Sequence, residues 1–481
     1  MKVLFATSEA TPLVKTGGLA DVAGALPAAL VESGVDVRVL LPGYGPVLES
    51  IAGRSEIVAD LALPPFPPAR LVAASMPSGV PLLVVDCPAL FVRPGGPYQQ
   101  PGGLDWPDND IRFGLLSRVA ALLAHESTPL PWRPDVLHCN DWQTGLAPAY
   151  LAFELGSRAR TVMTIHNLAY QGIFLPGTLA RVGLTPAAFQ PEGVEYYGNV
   201  SYLKAGLHYA DRLTTVSPTY AREIQTETLG FGMQGLLTRR ADELTGIVNG
   251  IDVDVWNPAT DPLIPRRYQP DTLIRKNDDK RALQQKLGLE TDIFTPLAGI
   301  VSRFTDQKGL DLVLEAADRL LALPLQLAAL GSGDPVLQDG FRALAARHPG
   351  QVGVQIGFDE ALSHLVEAGA DLFLMPSRFE PSGLNQMYSQ RYGTPVVAHA
   401  TGGLVDTITD HTPVTAKAGT ASGFLFREPT ADALFDAVER AVTCFHVRRT
   451  WRRIQRAGMG RDFSWASSAG QYVALYEALA G

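Results

Sequence analysis

A lysine and two adjacent glycines ahead of a helix-like run are the first residues in the chain suited to chemistry. Lys15-Thr16-Gly17-Gly18-Leu19-Ala20-Asp21 follows a strand-like run, Lys2 to Thr7. The glycines let the backbone turn and approach a ligand, and the first free N–H groups of the helix add the positive end of its dipole. Lys15 adds a full charge, so the stretch reads as an anion site. Its spacing is neither the Gly-x-Gly-x-x-Gly of a dinucleotide site nor that of a P-loop. Far downstream Thr401-Gly402-Gly403-Leu404-Val405-Asp406 repeats the pattern Thr-Gly-Gly-Leu-x-Asp, which suggests two similar lobes serving one ligand. Arg303 and Lys308 stand in a strand-to-helix loop of the second lobe. A planar fork plus a point charge suits a diphosphate, and one unit-charge contact at ~4 Å is worth about 4 kcal/mol at an effective dielectric near 20. Glu380 follows a buried-type strand, on the crevice side.

These residues must be held by a sheet. In the first half, Lys2–Thr7, Asp36–Pro42, Leu82–Asp86, Pro134–His138, Thr161–Ile165, Asp211–Ser217 and Gly246–Asp252 read as strands. Leu19, Val22, Ala23, Leu26 and Leu30 recur at helical spacing, and Pro27 predicts a kink. Ligands of open α/β sheets bind outside the carboxyl ends of strands, so Asp141, His166 and the loop after Thr7 are expected on one crevice. Phe91 to Asp110 is a Gly/Pro-rich loop carrying Tyr98 and Trp106, suited to a sugar polymer or else a solvated flap. Asn257-Pro258 and Asp261-Pro262 read as a linker, and Asp252-x-Asp254 lacks a third ligand for a metal. The second half restarts the rhythm with strands at Pro296–Ser302, Leu325–Gly333, Val352–Phe358, Ala370–Pro376 and Thr394–Ala398. Such alternation implies parallel sheets with right-handed crossovers, an α/β fold. Trp465, Tyr472, Val473, Leu475, Tyr476 and Leu479 mark a final amphipathic helix.

A chain of 481 residues should divide into two or three domains. Lys+Arg 40 against Asp+Glu 49 leaves a net charge of −9, which argues against a nucleic-acid or anionic-membrane binder. Three scattered cysteines, Cys87, Cys139 and Cys444, fit neither a disulfide framework nor a zinc cluster. With no signal-peptide pattern and no apolar run of membrane-spanning length, a cytoplasmic setting is expected.

Five motifs stand in order: the Lys15–Asp21 loop, His166-Asn167-Leu168-Ala169-Tyr170-Gln171-Gly172, Asn249-Gly250-Ile251-Asp252, Arg303-Phe304-x-x-Gln307-Lys308-Gly309 and Ser377-Arg378-Phe379-Glu380-Pro381. Through them the chain resembles, essentially end to end, the bacterial glycogen synthases and plant starch synthases, which transfer glucose from ADP-glucose to an α-1,4-glucan. The resemblance implies two Rossmann-like domains facing across a cleft, the GT-B arrangement. Residues 1–252 would form the acceptor-side domain, joined by a C-terminal helix within 460–481 that crosses back, and 253–459 the nucleotide-sugar domain. It implies that Lys15, Gly17, Gly18, Arg303 and Lys308 approach the donor phosphates, with Leu384, Thr401, Gly402 and Gly403 also on the donor side. Phe358 falls where the family has a tyrosine stacked on adenine. Glu380 would hold glucose hydroxyls and His166 would sit by the reacting sugar, while Asp21, Tyr98, Asp141, Asn167 and Asn249 line the sugar and acceptor region. Glu380, His166, Lys15, Arg303 and Lys308 would carry the catalysis.

The chain departs from the family at Ser382, where a cysteine is usual, at His399-Ala400, where two arginines are usual, and at Phe91-Val92-Arg93-Pro94-Gly95, where Tyr-Asp-Arg-Pro-Gly is usual. None removes a charge from the expected diphosphate clamp. The resemblance further implies retention of configuration with neither cofactor nor bound metal, by a same-face displacement in which the departing phosphate helps take the acceptor proton. Two other readings stay open: a sugar-nucleotide epimerase on the same architecture, and a catalytically idle glucan- or nucleotide-binding protein.

Overall fold

The computed structural model describes all residues, Met1–Gly481, and they form two compact units. Unit one is Met1–Gly250 with Trp465–Gly481, and unit two is Ile251–Ser464.

Unit one carries β1 (Lys2–Ala6), β2 (Asp36–Pro42), β3 (Glu56–Leu61), β4 (Ala69–Ser75), β5 (Pro81–Asp86), β6 (Val136–Asn140) and β7 (Arg160–Ile165). A small antiparallel patch follows, of β8 (Ile173–Phe174), β9 (Glu195–Tyr196) and β10 (Asn199–Ser201), then β11 (Arg212–Thr215) and β12 (Leu244–Gly246). The main sheet runs β12-β11-β7-β6-β1-β2-β5-β4-β3. It is parallel from β12 to β5, and β1 pairs with both β2 and β6. Its central strands are covered on both faces, which explains why Val3, Leu4, Phe5 and Ala6 form an unbroken apolar run, all buried. The outer strands correct the expectation of a purely parallel sheet: β3 and β4 pair antiparallel with each other, and β4 with β5. The expected strand at Gly246–Asp252 ends at Gly246.

The helix Gly18–Glu32 buries its expected stripe of Leu19, Val22, Ala23, Leu26 and Leu30, and it continues as one helix through Pro27. The last helix, Trp465–Ala480, packs into the core of unit one through Trp465, Tyr472 and Tyr476. Tyr476 there meets the buried His138, Oη to Nδ1 at 2.6 Å, and His138 Nε2 lies 2.6 Å from Thr164 Oγ1.

Unit two is a six-stranded parallel sheet of β13 (Leu297–Phe304), β14 (Gln326–Gly333), β15 (Val352–Ile356), β16 (Leu372–Met375), β17 (Val396–His399) and β18 (Gly423–Phe426), in the order β15-β14-β13-β16-β17-β18. The stretch read as a linker is instead built into this unit. Asp261 is buried, and its Oδ2 accepts from Tyr392 Oη at 2.5 Å and lies 2.8 Å from His364 Nδ1. Trp256 is stacked between His364 and Tyr388, with centroids at 4.0 and 3.8 Å. Asp252 Oδ1 accepts from the N–H groups of Asp254 and Val255, a turn-closing role. The three cysteines are free and buried, and no helix is long and apolar enough to cross a membrane.

Candidate functional site

In unit one the strand order changes direction between β1 and β6, and the polar residues gather at the carboxyl ends of β1, β6 and β7. Asp141, just past β6, accepts the His166 N–H, past β7, at 2.7 Å. Its backbone is held at φ 54°, a left-handed value uncommon for a non-glycine residue. Burial lifts its carboxyl to about 7, against the lowering pull of the His166 and Asn167 amides. The imidazole of His166 is fixed by Asn140. Asn140 Nδ2 donates to Ala6 O at 3.0 Å, which turns its Oδ1 toward His166 Nε2, 2.9 Å away. Nε2 therefore carries the proton and Nδ1 is left as an acceptor. Desolvation pushes His166 down to about 3, so the ring is neutral at neutral pH. Asn167 Oδ1 accepts from the Ala169 N–H at 3.1 Å, and the buried Asn249 keeps an Oδ1 without a partner.

The loop after β1 departs from its expected form. Thr16 and Gly17 N–H are not free: both donate to Glu9 Oε2, the Gly17 bond at 3.1 Å. Glu9 Oε1 also accepts the Tyr98 hydroxyl, which lies 2.8 Å from Ser8 Oγ. One buried carboxylate thus ties the lysine loop to Tyr98, and burial raises its pKa. Nor does the turn require glycine by conformation. Gly17 is extended, at φ −149°, and a Cβ at Gly17 or Gly18 would meet open space. Lys15 Nζ, exposed, donates to Asp21 Oδ1 at 2.7 Å. The Phe91–Asp110 stretch is anchored at its ends, while Pro101–Asp105 between them is exposed. Arg93 makes a two-pronged pair with Asp108 at 2.9 and 3.0 Å, and the fully buried Arg112 donates to Leu90 O, Pro97 O and Asn109 Oδ1.

In unit two the direction change falls between β13 and β16, and the charged residues sit there. Arg303, near the end of β13, is exposed and forms no ion pair. Lys308, one turn on, donates to Glu380 Oε2 at 2.5 Å. Ser377 Oγ donates to the same oxygen at 3.0 Å. Arg378 locks this loop to the Asp306–Lys308 turn through Nη1 to Asp306 O at 2.9 Å and its N–H to Gln307 O, and to the helix Leu310–Glu315 through a bidentate pair with Asp311, 2.8 and 2.6 Å. The Thr401-Gly402-Gly403 turn rests on the Glu380 loop, with Gly403 N–H donating to Glu380 O at 3.0 Å. Gly402 has φ +46°, and a Cβ there would overlap Glu380 O. The two Gly-Gly turns are therefore used differently, the second being demanded by packing and the first opening onto space.

Leu384 is half-buried beside Met387 and Phe463. Phe358, after β15, exposes 83% of its surface. His399 replaces an expected arginine and sets Nδ1 2.7 Å from Ser377 O and Nε2 2.9 Å from Arg427 O. Glu9, Asn140 and Ser377 are site residues to which no role was assigned from the sequence. Ser377 opens the Ser377–Pro381 motif, and Glu9 is an acid close before the glycine loop.

A family model described as "Starch synthase catalytic domain" matches residues 2–239, and one described as "Glycosyl transferases group 1" matches residues 279–457. The chain is 56% identical over 480 residues to the glycogen synthase of Aromatoleum aromaticum, and 54% over 483 residues to that of Nitrosospira multiformis. Each alignment covers 100% of this chain and 97% of the relative. Among solved structures it is similar to the catalytic domain of starch synthase IV from Arabidopsis thaliana bound to ADP and acarbose, with TM-score 0.86 and 32% identity over 100% of this chain and 99% of that one. A sucrose-phosphate synthase from Thermosynechococcus elongatus, at TM-score 0.60 and 19% identity over 99% and 98% of the two chains, shares the fold.

Proposed function

The chain belongs to the family of bacterial glycogen synthases and plant starch synthases, which makes it a hexosyltransferase, and we propose that it lengthens an α-1,4-glucan with glucose from ADP-glucose. In this reaction the bond from glucose C1 to the β-phosphate oxygen breaks and a bond from C1 to the acceptor O4 forms. The acceptor's hydroxyl proton passes to the departing phosphate, and ADP leaves. The observation that carries the reading is the Lys308–Glu380 pair, with Arg303 near the end of β13, at the direction change of unit two's sheet, in a chain similar along its whole length to glycogen synthases.

Arg303 and Lys308 take up the charge that develops on the diphosphate, where fixed cations act without reorganising at the moment of reaction. They supply the neutralisation, with neither metal nor cofactor assigned a part. Glu380, held by Lys308 and Ser377, binds glucose hydroxyls. Phe358 offers an aromatic face to the base, and the turn at Thr401–Gly403, with Leu384, shapes the Glu380 loop. In unit one, neutral His166 presents Nδ1 to a sugar hydroxyl. Asp141, Asn167, Asn249, Tyr98 and Asp21 offer the further polar contacts a glucan needs, and Lys15 with the open face at Gly17–Gly18 suits an anionic group. Retention follows if donor and acceptor share one face of the sugar.

Incubation with ADP-glucose should release ADP in proportion to glycogen added, with new α-1,4 linkages in the polymer. Nucleotide release without glucan growth would favour an epimerase, and tight binding with no release would favour an idle binder.

A further inference from the structure

A second cationic site lies in unit two, away from the strand ends that hold Glu380. The helix Arg448–Met459 reads RRTWRRIQRAGM, five arginines in a chain of net charge −9. Its apolar face is buried through Trp451 and Ile454, which turns the arginines outward. Arg456 alone among them has an acidic partner, Asp271 at 3.5 Å. Arg448 and Arg452 instead line a depression with Lys276, Asn277, Trp451 and Gln455. Neither guanidinium makes an ion pair, and Arg448 lies against the Phe445 ring at 5.0 Å. Trp451 is only 2% exposed, yet its Nε1–H has no hydrogen-bond partner.

The one acid on this wall, Asp371, is already neutralised by Lys280 at 2.6 Å and accepts the Leu297 N–H at 2.9 Å. What faces the depression is therefore an excess of donors and positive charge. A buried N–H left without an acceptor is costly, and two unpaired forks beside it match the oxygens of one tetrahedral anion.

We propose that this depression binds a phosphate dianion, either inorganic phosphate or the head of a small phosphomonoester, through Arg448, Arg452 and Trp451 Nε1–H. The site is separate from the proposed donor site. Lys276 Nζ donates to Ala368 O at 2.5 Å and Thr394 Oγ1 at 2.7 Å, and Gln455 Nε2 donates to Gly393 O at 2.8 Å. Those partners precede β16 and β17, whereas Glu380 and Thr401 follow the carboxyl ends of the same two strands. The depression thus sits at the amino ends of the strands. An occupant there would brace the segments that lead into β16 and β17.

The test titrates the full chain with inorganic phosphate, and separately with glycerol 3-phosphate, against sodium chloride of equal ionic strength, reading the melting temperature. Phosphate should raise it beyond chloride in the wild type and in Arg303→Gln, and a larger rise with glycerol 3-phosphate would identify the phosphomonoester as the better ligand. Arg448→Gln/Arg452→Gln should weaken the response about tenfold or more in concentration, as loss of charge-assisted bonds requires. Should that double variant fail to fold, Arg452→Lys, which keeps the charge and loses the fork, should weaken it alone. A rise no larger than that with chloride, a rise abolished by Arg303→Gln, or a response unchanged in the Arg448 and Arg452 variants would overturn the proposal.

Discussion

Asp141 and Glu9 show how much the site depends on single carboxylates whose surroundings are set by distant residues. Asp141 is lifted from an ordinary 3.8 to about 7 by burial, so its ionisation costs the fold more than the unfolded chain. That cost is absent below about pH 4 and accrues as pH rises toward 7, so this group lowers stability across that window. Asp141→Asn keeps an acceptor for the His166 N–H and cannot ionise. The variant should gain stability on the wild type between pH 4 and 7, on the order of 1–3 kcal/mol, read by urea denaturation at both ends of the window. An equal difference at both ends would contradict the assigned burial effect. Asp141 and His166 were legible in the sequence as polar residues at strand ends. Glu9 was not, because its bonds to Gly17 and Tyr98 span 8 and 89 positions and only folding brings them together.

At the scale of elements, two similar Gly-Gly turns have different physical reasons. Gly402 combines φ +46° with contact on the Glu380 carbonyl, so Gly402→Ala should cost roughly 1–3 kcal/mol and displace the Glu380 loop. Its turnover should fall further than its melting temperature. Gly18→Ala meets open space at the start of a helix and should leave stability unchanged or slightly raised, while impairing turnover if a ligand fills that space. Paired melting curves and initial rates on the two variants check both statements. Periodicity located the strands that are buried on both faces and the stripe of the Gly18–Glu32 helix. It missed β3 and β4, which lie at the sheet's margin with several exposed positions, and β18, whose four residues are too few to show a period. The supposed linker near Asp261 was hidden for another reason, since Asn-Pro and Asp-Pro signal a turn without saying whether the turn is buried.

For the whole molecule, the last helix completes a unit whose other residues end at Gly250. Trp465, Tyr472 and Tyr476 fill unit one's core, and Tyr476 satisfies His138, which burial holds down to about 3. A chain ending at Ser464 leaves those surfaces uncovered and His138 Nδ1 unpaired. Calorimetry should then show the unfolding of unit one lost or moved to much lower temperature while that of Ile251–Ser464 persists. Two transitions unchanged from the wild type would contradict this account of the core.

The central claim is that the chain transfers glucose through Glu380 and the cations beside it. Its most direct test is single-turnover glucosyl transfer from ADP-glucose to glycogen by the wild type and by Glu380→Gln. The account predicts ADP-glucose binding in both and a rate roughly 100-fold lower in the variant, the scale expected when a contact that positions the reacting sugar is lost. Equal rates at equal donor occupancy would contradict it.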